Sequence, residues 1–217
     1  MKRSRRKVLI ALVVLTTASS AILTKDSAAD AGQTIAKTEN SFLGKYISDK
    51  ILVQGEQLEK NRYPSVNKLI RLYYSETAAG DLDGLRNLMD QIEEANVSEI
   101  LNNPNFVEEY EEINVYTKPG KEMGELVVFA TYKMKIRGIE TPVPGMGTFY
   151  VSRKQDGKYS LSNGTYDPSV QEEIQKAAED EEVKRLAENT RKEYEKAQKS
   201  DKELDTMLKG MQSTSKE

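Results

Sequence analysis

Between Glu125 and Ile136 the chain reads ELVVFATYKMKI, which resolves into two columns when taken with a period of two. Leu126, Val128, Ala130, Tyr132, Met134 and Ile136 form one column; Val127, Phe129, Thr131, Lys133 and Lys135 form the other. Successive side chains of a strand point to opposite faces, so this segment has one face apolar throughout and one that turns polar at its end. No other stretch constrains the fold as tightly. A strand this long is expected to be bent, to lie centrally, and to need an apolar helix over its buried face. Val66, Leu69, Ile70, Tyr73 and Tyr74 recur at three and four residues and supply such a helix.

The surrounding punctuation orders the remaining elements. Pro64 suits the first turn of that helix, Gly80 its end, and Asp81 the N-cap of a second helix carrying Leu82, Leu85, Leu88 and Met89. A third short helical piece runs from Val97 to Leu101 and stops before Asn102–Asn103–Pro104. Beyond Pro104 the period changes to that of strands. Ile113 to Thr117 is the first, Glu125 to Ile136 the second, Thr148 to Arg153 the third and Tyr159 to Ser162 the fourth. Gln155–Asp156–Gly157–Lys158 is the hairpin turn between the last two. Arg137 to Gly147, with Pro142 and Pro144, reads as a bulged connection because proline cannot donate to a ladder. Helices followed by an antiparallel meander give an α+β domain.

Both ends of the chain are accessories to that domain. Lys2, Arg3, Arg5, Arg6 and Lys7 precede an uncharged run from Val8 to Thr24, the layout of an export signal or a membrane anchor. Residues 1–25 are therefore expected to place the rest outside the cytoplasm, secreted after cleavage or held by a single uncleaved segment. Residues 26–40 read as a linker. Residues 41–62 read as a leading helix, on Phe42, Leu43, Tyr46, Ile47, Ile51 and Leu52.

Residues 166–211 form a charged helical tail whose apolar edge is thin, and 212–217 a disordered end. Val170 and Ile174 are expected to dock on the sheet. The portion beyond about Glu188 is expected to be mobile or partner-dependent, so that truncation after Gln198 leaves the melting temperature almost unchanged.

Composition excludes several chemistries. Cysteine and histidine are both absent, which removes structural zinc sites, thiol nucleophiles and a Ser-His-Asp triad. Once the five N-terminal basic residues are set aside, the remainder is more acidic than the formal charge of −3 on the whole chain. An acidic body lacks the basic stripe that nucleic acid requires. Glu108, Glu109, Glu111 and Glu112 lack the alternation and glycine of a calcium loop and read as solvated surface, as do Glu179 to Glu182. No catalytic, cofactor or metal site is assigned.

VNKLIRLYYSETAAGDLDGLRNLM (Val66 to Met89), followed by the strands from Ile113 to Ser162, resembles the nuclear transport factor 2-like (cystatin-like cone) superfamily over residues 63–165. SVNKLIRLYYSETAAGD and IRGIETPVPGMGTFYV narrow the resemblance to exported, membrane-anchored domains of Gram-positive anaerobes. The resemblance implies helices packed on a curved, cone-like sheet with a pocket between them. Enzymes of that superfamily such as ketosteroid isomerase place an Asp base and a Tyr acid there. Carried onto this chain, the candidate pocket residues are Tyr73, Tyr74, Phe129, Tyr132, Phe149 and Tyr150. Asp81 and Asp83 are the candidate carboxylates, but helix capping accounts for them better, and the Leu126 column contains no Asp, Glu or Asn. The expectation is a non-enzymatic extracytoplasmic interaction or scaffold domain of the cell envelope with an unidentified protein partner. The alternative is a small-molecule binding protein or enzyme with a hollow cone.

Overall fold

A computed structural model describes residues 57–90, 92, 94–162 and 166–214. The expected signal or anchor, the linker, nearly all of the expected leading helix and the last three residues lie outside the described residues. Among the described residues no helix is long and apolar enough to cross a membrane.

The fold is α+β, with five antiparallel strands in sequential order and β3 at the centre. Its strands are β1 (Glu59–Lys60), β2 (Val107–Pro119), β3 (Leu126–Ile136), β4 (Val143–Arg153) and β5 (Tyr159–Ser162). Three helices, α1 (Pro64–Ala79), α2 (Leu82–Leu88) and α3 (Glu94–Asn102), precede β2, and α4 (Pro168–Ala178), α5 (Glu181–Ser200) and α6 (Lys202–Thr214) follow β5.

Local chemistry places the helix ends. Pro64 opens α1, and Gly80 closes it in the left-handed region (φ 68°), its N–H returning to the carbonyls of Glu76 and Thr77. A side chain at Gly80 would be strained there and would also meet Pro104 and the Ile100 carbonyl. Asp81 caps α2 by accepting the Gly84 N–H at 2.9 Å. The interhelical turn is therefore fixed by its own sequence.

β3 pairs with β2 on one side and β4 on the other, so its two columns are lined on both flanks. The Leu126 column faces α1 and α2. There Leu126, Val128 and Ala130 pack with Val66, Leu69, Ile70 and Tyr74 of α1, Leu85 of α2 and Met89. The other column is buried as well: Val127 and Phe129 pack with Tyr150 and Met146 beneath Val170 and Ile174 of α4 and Val183, Leu186 and Ala187 of α5. Val170 and Ile174 thus dock on the sheet as their short connection from β5 predicts. A part-buried ion pair pins this layer: Lys118 of β2, 6% exposed, reaches the half-buried Asp180 at 2.6 Å between α4 and α5. Asp180 also caps α5 through the Glu182 N–H.

Three sequence expectations are corrected. β2 extends back through the acidic run to Val107, where Lys133 and Lys135 of β3 meet Glu112 and Glu108/Glu109 across the ladder. Register shifts between Val107 and Glu109 and between Glu111 and Asn114 break the two-residue period there, which hides the strand. Opposite charges facing one another across the pair support it.

The second correction concerns Arg137 to Gly147. From Val143 onward this segment is strand, with Pro144 opposite Lys133 and Gly147 opposite Ala130. β5 pairs only with Tyr150 to Arg153, so among the described residues Pro144 has no strand on its other side and its missing N–H costs no ladder bond there.

The third correction is the largest. The chain beyond Glu188 is part of the core: Leu204 (0% exposed) and Leu208 of α6 are buried with Val107 of β2, Met134 and Ile136 of β3 and Val143 of β4. Met134 and Ile136 belong to the Leu126 column, so α6 covers the far end of the face whose near end α1 and α2 cover. α5 links the two layers, packing Leu186 and Ala187 on one face and Tyr194 and Ala197 in the α6 cluster. The last helix runs to Thr214, beyond the Met211 limit drawn from the sequence.

Candidate functional site

Under α1, at the join of the two clusters on the Leu126 face, five aromatic rings meet. Tyr73 and Tyr74 come from α1, Tyr110 from β2, Tyr132 from β3 and Phe149 from β4. Tyr74 lies 4.8 Å from both Tyr110 and Tyr132 between ring centroids, and 5.9 Å from Phe149. Tyr110 and Tyr132 meet edge to face at 5.1 Å and 87°, and Tyr73 meets Phe149 edge to face at 5.0 Å. Such geometries match the quadrupoles of the rings and stabilise beyond the area buried.

The floor of the cluster is made by absent side chains. A Cβ at Gly145 would lie 2.6 Å from the Tyr132 ring, and one at Gly147 2.5 Å from the Tyr74 hydroxyl. The P-G-M-G sequence of β4 is thus the complement of the tyrosines above it: glycine alternates under the rings while Met146 turns to the opposite face.

Of the six residues singled out from the sequence, four converge: Tyr73, Tyr74, Tyr132 and Phe149. Phe129 and Tyr150 do not. Both lie on the opposite face under α4 and α5, because Phe129 is odd where Tyr132 is even, and Tyr150 follows Phe149 by one residue. The Tyr150 hydroxyl instead donates to Glu125 and receives the Lys121 N–H, which orders the β2–β3 turn. Burial, followed by the bond to Glu125, pushes this phenol up to about 12.

Tyr110 was missed because its neighbours in E-E-Y-E-E are all carboxylates. A single aromatic in a polar run that faces a strand was the available signal. Asp81 and Asp83 stay outside the cluster, Asp81 as the α2 cap and Asp83 paired with Arg86 on the surface.

The chemistry open to the cluster follows from its charge environment. Burial raises the Tyr74 phenol well above its ordinary value, and the neighbouring tyrosines Tyr132, Tyr73 and Tyr110 push the same way. Tyr132 is raised by the same two causes, burial first. Both phenols hold their protons throughout the physiological range, so they can donate hydrogen bonds but neither is tuned toward neutral-pH proton transfer. Among the described residues the buried polar and charged side chains, tyrosines aside, are Thr117, Lys118 and Ser160. Lys118 is on the face away from the rings, committed to Asp180.

On the outer surface, Lys192, Glu195, Lys196, Lys199 and Ser200 line an open depression of about 430 Å³ along the end of α5. Lys192 pairs with Glu188 and Lys199 with Glu195, one helical turn away in each case. Such pairs describe a solvated helix face. Among the described residues no group of three or more carboxylates is placed to hold a metal ion.

Comparison with protein-family models, curated proteins and solved structures returns no match for this chain.

Proposed function

We propose that this chain is a non-enzymatic, extracytoplasmic interaction domain of the bacterial cell envelope, built on a nuclear transport factor 2-like cone whose interior is occupied by its own side chains. The observation that carries this reading is the filling of the Leu126 face. Where a cone of that kind would hold a ligand, Tyr74 meets Tyr110, Tyr132 and Phe149, Tyr110 meets Tyr132, and Leu204 and Leu208 pack beyond them. Tyr74 and Tyr132 keep their protons at neutral pH, and the candidate carboxylates Asp81 and Asp83 serve helix α2.

The basic, apolar N-terminal segment supports export, with the domain tethered by it or released after cleavage. The acidic body supports a protein partner over nucleic acid.

The test is crosslinking and co-purification of the native protein from membranes, combined with native mass spectrometry. Recovery of one protein partner in fixed proportion is the expected result. A stoichiometric small molecule that is lost on Tyr132→Ala would refute the filled-interior reading and favour a binding protein. Cytoplasmic recovery with Met1 to Lys25 intact would refute export.

A further inference from the structure

The join between α5 and α6 is a single residue. α5 ends at Ser200, α6 begins at Lys202, and Asp201 between them has extended backbone angles (φ −128°, ψ 111°). Nothing in the side chains of Ser200–Asp201–Lys202 forbids a helix from running straight through, since neither glycine nor proline is present. The bend is held by a Gln198–Asp205 hydrogen bond of 2.9 Å across it, by the Asp201 carboxylate, which Thr141 also hydrogen-bonds, and by packing. The Asp201 carboxylate accepts the N–H groups of Glu203 at 2.9 Å and Leu204 at 3.0 Å and so caps α6. Burial of Leu204 and Leu208 against Val107, Met134, Ile136 and Val143 then fixes the helix in its groove.

Straightening would exchange the cap for main-chain helix bonds at the orphaned groups on both sides of Asp201. It would also set Lys199 opposite Glu203 at four residues' spacing, a pairing of opposite charges. The groove would be vacated, exposing apolar surface that the same helix from another copy fits without any new side-chain requirement.

We propose that α6 is an exchangeable element: Asp201 is a hinge, α5 and α6 can become one continuous helix of about 50 Å, and α6 then fills the Val107–Met134–Ile136–Val143 groove of a second copy of this chain. Exchange of an identical element is a low-cost route to a dimer because the packing of Leu204 and Leu208 in the groove is remade and only contacts at the bend itself are given up, and short hinges favour it over return to the same body. The occupant is committed by the groove itself, whose shape is already filled by this helix. The proposal concerns assembly and stands whether or not the interior-filled reading of the domain is correct.

The test uses the full chain refolded at high protein concentration and separated by size-exclusion chromatography with light scattering. Asp201→Ala removes the cap that holds the bend and improves helix propensity at the hinge. Because two hinges act in each dimer, its dimerisation constant is expected to rise about tenfold or more. A Gly-Ser-Gly insertion between Ser200 and Asp201 keeps the cap, relaxes the turn, and is expected to lower the dimer fraction below wild type.

Exchange is read directly from an equal mixture of nitrogen-15-labelled and unlabelled chains, refolded together and treated with an amine crosslinker. Crosslinks from Lys202 or Lys209 of α6 to Lys135 of β3 are expected to be mixed-isotope in the dimer fraction and single-isotope in the monomer. A dimer whose α6-to-β3 crosslinks are all single-isotope overturns the proposal. So does a dimer fraction that is the same in wild type, Asp201→Ala and the insertion variant.

Discussion

Leu204→Ala is the substitution that best separates the sequence reading of the tail from the structure. Leu204 is completely buried in a cluster drawn from three strands, with Leu208 one turn away at 3% exposure. Truncating a fully buried leucine removes its transfer free energy and leaves a cavity, which together cost about 2–5 kcal/mol. Against a total domain stability of about 5–15 kcal/mol, that is a large fraction. For a domain of this size each kcal/mol lowers the melting temperature by about 2–4 °C, so Leu204→Ala is expected to melt roughly 4–20 °C below wild type.

The internal control is Leu101→Ala, on α3 at 54% exposure, which should stay within about 0.5 kcal/mol of wild type. The assay is urea unfolding and thermal melting followed by circular dichroism, with Leu208→Ala and the double variant alongside. The two leucines share a cluster, so the double variant should fall short of or exceed the sum rather than match it. A Leu204→Ala melting point within about 2 °C of wild type, the same as the exposed control, would refute the burial argument and return α6 to the status of an independent tail.

Val128→Asp places an unpaired carboxylate at a completely buried position of the central strand and should destabilise by several kcal/mol, measured by urea unfolding. Gly147→Ala should cost about 1–3 kcal/mol through its clash with the Tyr74 hydroxyl, and Tyr74→Phe should recover part of that loss; equal costs in the two backgrounds would show that the close approach has no energetic consequence. Tyr194→Phe removes a buried hydroxyl that has no hydrogen-bond partner among the described residues, so it should leave stability unchanged or raise it by up to about 1 kcal/mol, and a clear loss would reveal a partner. The Asp180 carboxyl is held below its ordinary value by the Lys118 ammonium and the Glu182 N–H, against an opposing push from burial. A depressed folded value means its stabilisation is complete above the unfolded carboxylate value of about 3.9 and is lost as pH falls through the folded one. Asp180→Asn should therefore flatten the acid limb of stability against pH, and an unaltered limb would remove Asp180 from the account.

Much of the fold was legible because local patterns encode it. The two columns of β3, the Val66-to-Tyr74 face, the Gly80–Asp81 punctuation and the Asp156–Gly157 turn each depend on residues within a few positions of one another. Their physical causes are strand alternation, helical periodicity, the left-handed freedom of glycine and the reach of a capping carboxylate.

What the tertiary structure alone decided was which surfaces meet. The acidic half of β2 pairs with β3, where Lys133 and Lys135 stand across from it, and the proline-bearing start of β4 is tolerated as strand because, among the described residues, no strand pairs with it on its outer side. Gly145 and Gly147 acquire their meaning from rings more than ten residues away. Phe129 and Tyr150 were grouped with Tyr132 and Phe149 by residue type, although strand parity assigns them to the other face. The stripe Leu204, Met207, Leu208 was visible, yet too narrow to fold by itself. Its burial depends on a groove built from β2, β3 and β4, whose nearest residue lies some sixty positions earlier in the chain. Helical stability of such a segment comes from packing its apolar edge, and no pattern within the segment can show that a matching surface exists.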